Sequence, residues 1–142
     1  MKYNKQGHCV YYATYHIVVT TRYRRRVVKG GMGAYLKKAI LGVQRRYPEI
    51  QIVEVNTDED HMHVLVSIPP KMSVSQVVNL IKSNTGRAMR YKFPFLDEIY
   101  RKTPGIWSTG YFVSTIGIDQ KVVQRYIEYQ GREDSGQVKL EF

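Results

Sequence analysis

HMHVLVSIPP, residues 61–70, is the stretch whose reading decides the fold. Successive side chains of a β-strand point to opposite faces, so His61, His63, Leu65 and Ser67 share one face. Met62, Val64, Val66 and Ile68 share the other, which is wholly apolar. A strand of this kind sits in a sheet with one side against a core and the other open. Pro69-Pro70 ends it, because proline has no N–H to give the ladder. Two imidazoles two residues apart stand roughly 6.6 Å apart along the strand, close enough to converge on one ion. The motif therefore suggests a metal site on the open face.

The elements on either side complete the pattern. His8–Thr21 (HCVYYATYHIVVTT) is rich in Tyr, Val, Ile and Thr and reads as one long strand. It places Tyr12, Thr14 and His16 on the open face, and turns Cys9, Tyr11, Ala13, Tyr15, Ile17 and Val19 towards the helices. Arg22–Arg26 is a basic turn, and Gly30–Gly33 breaks the chain. Ala34–Tyr47 carries an apolar stripe at helical spacing and stops at Pro48. Glu49–Asn56 alternates as a strand. Thr57–Asp60 reads as a solvated acidic turn, with Asp60 pointing away from the His61 face. Ser73 and Gln76 fit a capping box that opens a second helix, closed near Pro94. Gly105–Ile116 reads as a last strand. Asp119 can cap a final helix running to about Gln130, with Gly131 as its stop.

The order is β-α-β-β-α-β-α within one domain, residues 1–142. This predicts an α+β fold, a ferredoxin-like (RRM-like) antiparallel sheet with helices on one face. The first and third strands lie side by side in its centre, and a tyrosine-bearing helix follows at the C-terminal end. No repeat, low-complexity tract or linker divides the chain.

Composition narrows the partners. The chain has 142 residues, 22 Lys plus Arg against 12 Asp plus Glu, and a formal net charge of +10. Such a domain commonly meets a polyanion, above all nucleic acid. Its 12 tyrosines can stack on unpaired bases, although most will be core or strand residues. Cys9 is the only cysteine, so no intramolecular disulfide can form. No run of about 18 apolar residues and no signal-peptide pattern occurs, which predicts a cytoplasmic protein away from membranes. No Gly-rich Lys-Ser/Thr loop is present, so no nucleotide cofactor is expected.

The final helix, DQKVVQRYIEYQG (119–131), sets Tyr126 and Gln130 four residues apart on one helix face. That pair can supply a nucleophile and a neutral oxygen ligand. With these residues in view, the chain resembles the HUH single-tyrosine transposases of the TnpA type, small insertion-sequence enzymes that act on single-stranded DNA. The resemblance runs along nearly the whole chain. YHIVVTTRYRRRVV (15–28) looks like the first strand and basic turn, and HMH (61–63) matches the histidine–hydrophobe–histidine motif. WSTGYFVSTIG (107–117) looks like the last strand, and YIEYQ (126–130) matches the Tyr-x-x-x-Gln helix. Either short motif alone is weak; both in order in a basic chain of this length are specific.

The resemblance implies a definite chemistry. His61, His63 and Gln130 would hold one Mg²⁺ or Mn²⁺, and Tyr126 would attack phosphorus to give a 5′-phosphotyrosine link. It also implies hairpin-containing single-stranded DNA as substrate and a homodimer with a composite active site. Gly117, just before the tyrosine helix, is a candidate hinge for exchanging that helix. Candidate DNA contacts are Arg22, Arg24, Arg25 and Arg26 in the basic turn, with Lys82, Arg87 and Arg90 on the second helix. His16 is either an assistant to the chemistry or a hydrogen-bonded strand residue. Tyr129 is the competing nucleophile. Trp107 and Tyr111 either stack on bases or pack. Other readings are a repeat-associated single-tyrosine nuclease, a noncatalytic nucleic-acid-binding module, and a larger-class replication initiator or relaxase.

Overall fold

The structure is a computed structural model and describes residues 3–136. Two short strands, β1 (Asn4–Gln6) and β2 (Cys9–Tyr11), form a hairpin ahead of the main body. β3 (Thr14–Thr20) follows, then a 3₁₀ turn at Arg22–Arg24, α1 (Met32–Arg46), β4 (Gln51–Thr57) and β5 (His61–Ser67). Next come α2 (Val74–Lys92), α3 (Phe95–Ile99), β6 (Phe112–Ser114) and α4 (Gln120–Asp134). The main sheet has the order β4-β5-β3-β6 with every pairing antiparallel. The α+β, ferredoxin-like expectation is met, with the histidine strand β5 central beside β3.

The register follows the hydrophobic pattern. Thr20 faces His61 and Val18 faces His63. Met62, Val64 and Val66 are fully buried with Ile17 and Val19 beneath α1 and α2. Those helices contribute Leu36, Ile40, Val77 and Ile81 to the same core. Burying such side chains contributes about 1.5–3 kcal/mol each relative to leaving them in water. Ser73 caps α2 as expected, with both bonds of the capping box formed. On the opposite face Val18 packs with Val123, Tyr126 and Ile127 of α4 in a smaller, separate cluster. The open face is thus partly roofed by the tyrosine helix.

Four boundaries differ from expectation. The single strand over His8–Thr21 is two strands. Its central partner β5 ends at Ser67, opposite Thr14, and Pro69-Pro70 offers no further N–H. The preceding residues instead fold back on β1 through a two-residue turn with Gly7 at φ 55. The last strand shrinks to Phe112–Ser114. Before it, Gly105 at φ 70 bends the chain against Gly86, and Trp107 makes only an isolated bridge to Thr21. Pro94 is followed at once by the short α3, in keeping with the tolerance for proline at a helix start. Gly131 does not stop α4; it lies inside the helix, close to the Arg24 side chain. The tail expected after α4 lies, for residues 137–142, outside the described part.

Candidate active site

The imidazoles sit on the open face of β5 as their alternation requires, and each has a partner. His61 Nδ1 stands 2.9 Å from Asp60 Oδ1. Asp60 Oδ2 accepts from Arg24 Nε at 3.2 Å. The Asp60 backbone carbonyl accepts from Thr20 Oγ1 at 2.9 Å, Thr21 N at 2.9 Å and Thr21 Oγ1 at 3.2 Å. Asp60 is therefore buried and tied down, which corrects the expectation of a solvated residue turned away from His61. Strand alternation failed there because β5 begins only at His61, and the bend before it is not extended. Asp58 is exposed, as a solvated turn residue should be.

His63 Nε2 lies 3.1 Å from His16 Nδ1, one ring donating and the other accepting. His16 is thus a hydrogen-bonded strand residue, and its partner is the second histidine of the motif. Burial lowers the His63 pKa from the ordinary histidine value, and the neighbouring His16 adds to the effect; Glu54 opposes it. The cause is desolvation of the cation, and the result favours the neutral, ligand-competent ring.

The tyrosine helix starts at Asp119, whose carboxylate accepts from Val122 N at 2.9 Å. Tyr126, Gln130 and Asp134 then stand one turn apart on a single face. Tyr126 Oη donates to Gln130 Oε1 at 3.1 Å, and Gln130 Nε2 donates to Asp134 Oδ1 at 3.1 Å. Asp134 Oδ2 accepts from Tyr23 N at 2.8 Å and from the Ser108 hydroxyl. Burial raises the Tyr126 pKa well above the usual tyrosine range, and the nearby Asp134 carboxylate and Tyr129 raise it further. Tyr126 is only 3% exposed. Tyr129 is half-buried and packs at the edge of the same cluster.

Two neighbours of this ladder escaped the sequence reading. A Cβ on Gly110 would overlap Gln130 Oε1, so any larger residue in the loop before β6 would push the Gln130 amide aside. Asp134 lies beyond the Tyr-x-x-x-Gln motif, where only a further step of four along the helix would have found it.

The Thr21–Arg25 turn lies between the two groups. Arg24 bonds Asp60, and its side chain lies against Gly131, where a Cβ would stand 3.2 Å from Arg24 Cβ. Tyr23 and Arg24 both have positive φ, 61° and 54°, conformations that cost non-glycine residues about 1–2 kcal/mol each. The histidine pair and the tyrosine helix thus share one sheet face and are linked through Val18 and Arg24. Among the described residues no hydrogen bond runs directly from either imidazole to Tyr126 or Gln130. Nor does any group of three His, Cys, Asp or Glu side chains gather as a metal cluster among them.

The expected DNA contacts divide. Arg26 and Arg87 are exposed and available. Arg22 keeps a buried Nε without a hydrogen-bond partner. Arg25 donates to Ile99 O at 2.9 Å and lies over the Tyr23 and Tyr100 rings. Lys82 donates to Gly110 O at 3.3 Å; burial lowers its pKa, with Asp134 opposing and Arg22 reinforcing. Arg90 is committed to the fold, bonding Asp97 and the carbonyls of Thr103 and Gly105. Arg87 and Lys82 line a cavity of about 620 Å³ beside Trp107. Trp107 is buried and donates to Thr85 Oγ1 at 2.9 Å, which makes it a packing residue. No described helix is long and apolar enough to cross a membrane.

Comparison with known proteins places the chain in a family. The profile of the IS200-like transposases matches residues 9–130. The chain is 33% identical over 132 residues to the transposase for insertion sequence element IS200 of Salmonella typhimurium, covering 90% of this chain and 83% of that protein. It is 27% identical over 124 residues to the ISDra2 transposase TnpA of Deinococcus radiodurans, covering 85% and 86%. A crystal structure described as a putative transposase from Deinococcus radiodurans R1 superposes with a TM-score of 0.79 at 25% identity, over 89% of this chain and 97% of that one. A REP-associated tyrosine transposase bound to a REP hairpin shares the fold, with a TM-score of 0.51 at 20% identity over 94% and 76%.

Proposed function

The chain belongs to the IS200-like transposase family, and from that premise we propose that it cuts and rejoins single-stranded DNA at hairpin-containing element ends through Tyr126. The observation that carries the reading is the Tyr126–Gln130 pair, hydrogen-bonded on a helix that packs over the same sheet face as His61 and His63.

The Tyr126 oxygen attacks the scissile phosphorus. A Tyr–O–P bond forms, the P–O3′ bond breaks, and the departing 3′-oxygen takes up a proton as the phenol gives one up. The phosphodiester's energy is held in the 5′-phosphotyrosine, so a 3′-hydroxyl from another DNA end can reverse the step without ATP. The buried phenol, protonated and bonded to Gln130, is a resting arrangement. Reaction requires α4 to shift so that Tyr126 reaches the DNA. That requirement fits a homodimer in which the helix changes partners. Gly117 lies in the segment before α4 with room for a Cβ and no positive φ.

The donor set suits a divalent ion. His61 keeps a free Nε2, His63 is held towards its neutral form, and Gln130 supplies an uncharged carbonyl oxygen. When bound there, Mg²⁺ or Mn²⁺ would polarise the scissile phosphate as a Lewis acid. The two imidazoles favour Mn²⁺, since Mg²⁺ prefers oxygen donors and keeps its waters. His16 competes for His63 Nε2, so occupation uses His63 Nδ1 or displaces His16. Arg26, Arg87 and Lys82 are the cations best placed to meet DNA phosphates, contacts that position a strand without reading it.

The test is a denaturing gel of labelled single-stranded DNA from the gene's own flanks, incubated with Mn²⁺ or EDTA. A metal-dependent covalent adduct is expected, kept by Tyr129→Phe and lost in Tyr126→Phe. Metal-independent binding with no adduct, on DNA with verified hairpin ends, would replace this reading with a noncatalytic binding module.

A further inference from the structure

Asp60 plays no part in the chemistry above, yet it is buried and every oxygen it has is engaged. Its backbone carbonyl collects three donors from Thr20 and Thr21. One carboxylate oxygen takes Arg24 Nε, and the other meets His61 Nδ1 at 2.9 Å. A carboxylate can only accept, so the hydrogen on this contact belongs to the imidazole. A neutral His61 bonded in this way carries its proton on Nδ1 and has its lone pair on Nε2.

We propose that Asp60 is a positioning residue that fixes His61 as the Nδ1–H tautomer and presents its Nε2 lone pair to a divalent cation. The inference rests on the metal assignment made above. Its geometry is independent of any ion. The carboxylate is anchored by Arg24 and its backbone by the end of β3, so the ring's tilt and tautomer are set before a cation arrives. Carboxylate partners of this kind orient metal-binding histidines, and their loss typically weakens metal affinity 10–100-fold. Arg24 gives the device a direction. It already supplies the donor on one carboxylate oxygen, so only the other is left for the ring.

That direction yields a test that packing alone would not pass. In Asp60→Asn the single side-chain oxygen must serve Arg24 or leave that donor unpaired. The amide NH₂ then faces His61 Nδ1 and forces the proton to Nε2, closing the nitrogen meant for the cation. Removing the competing donor as well, in Asp60→Asn/Arg24→Met, lets the amide oxygen turn back to His61. The methionine stem still covers Gly131.

Two readouts are taken on the full chain: the His61 tautomer from long-range ¹H–¹⁵N spectra without metal, and Mn²⁺ affinity from the loss of the free-ion EPR signal. The wild type should show Nδ1–H. Asp60→Asn should show Nε2–H with Mn²⁺ binding 10–100-fold weaker, and the double variant should recover to within about threefold. Wild-type His61 protonated on Nε2, wild-type affinity in Asp60→Asn, or a double variant worse than the single would each overturn the inference. So would a wild-type protein with no Mn²⁺ affinity. Correct tautomers and Mn²⁺ binding without any DNA adduct would instead sink the transposition chemistry and leave Asp60's role standing. An adduct with the wrong tautomer would do the reverse.

Discussion

The two halves of the site are held in opposite ways. β5, which carries His61 and His63, is paired along its length with β3 on one side and β4 on the other. Its back is sealed by Met62, Val64 and Val66 against the main core. α4, which carries Tyr126 and Gln130, rests on a four-residue buried cluster and a polar latch at Asp134. On this packing β5 should open only with the whole domain, whereas α4 should be able to open by itself. Local stability differs in this way within many folds, and moving parts are drawn from the weaker end. The proposed mechanism, which holds a cation still and swings a tyrosine, needs this division.

The sharpest way to break the comparison is a matched pair of core truncations. Met62→Ala should cost about 2–5 kcal/mol of global stability, as buried large-to-small changes do. Ile127→Ala should cost less than half as much in a denaturant melt while raising hydrogen exchange along α4 alone. Equal losses in the two melts would mean that α4 is integral to the fold. Asp134→Ala comes next. It strands the Tyr23 N–H and the Gln130 amide and leaves the Ser108 hydroxyl to the Thr21 carbonyl alone, for about 1–3 kcal/mol, confined to α4 docking. The check is tetranitromethane nitration followed by mass spectrometry. Tyr126 should become reactive in Asp134→Ala while buried Tyr100 stays protected; if both stay protected, the latch is not what holds the helix.

The same contrast explains what the sequence could and could not show. β5 was legible because its period-two pattern, its prolines and its core face agree, and one-residue slips are forbidden when one face is buried. The ladder of Tyr126 and Gln130 was legible as a helix spacing. Asp60 was misread because a residue in a bend obeys no strand alternation. The split of the long first strand was invisible because Tyr, Val and Thr read as strand on both sides of the break, and only the end of the partner strand decides it. Gly110 fell inside the stretch that reads as the last strand, and Gly131 reads as a helix stop. Their actual reason is close approach, to Gln130 and to Arg24, which appears only when distant segments meet.

Alkaline pH sharpens the comparison with a smaller effect. Burial holds the Tyr100 phenol up to about 12, with Arg25 and Thr21 opposing and Asp134 adding to it. The Tyr126 pKa is raised for the same leading reason. An unfolded tyrosine releases its proton near 10, so above that pH the unfolded state binds fewer protons and stability falls as pH rises. The contribution is fully present below about pH 10 and is lost on the way to the folded value. Tyr100 can be exposed only with the core, but Tyr126 needs only α4 to lift. Exchange along α4 should therefore speed up from about pH 10 before the global melt responds. Tyr126→Phe should remove that early phase, and Tyr100→Phe should flatten only the global decline. Simultaneous onset would argue against a separately mobile α4.

The smallest expected effect is at the hinge candidate. Gly117 has no positive φ and open space where a Cβ would stand, so nothing in the docked state demands glycine. Gly117→Ala should change stability by no more than about 0.5 kcal/mol. Any effect should come through the undocked states, where alanine narrows the backbone's choices. If the segment before α4 must rearrange for Tyr126 to reach DNA, Gly117→Pro should leave Mn²⁺ affinity and the melt unchanged while slowing strand transfer. Full strand transfer in Gly117→Pro would rule out a hinge at this residue. The flexing would then fall to its neighbours between β6 and the Asp119 cap, since the helix itself begins with its capping bond already made.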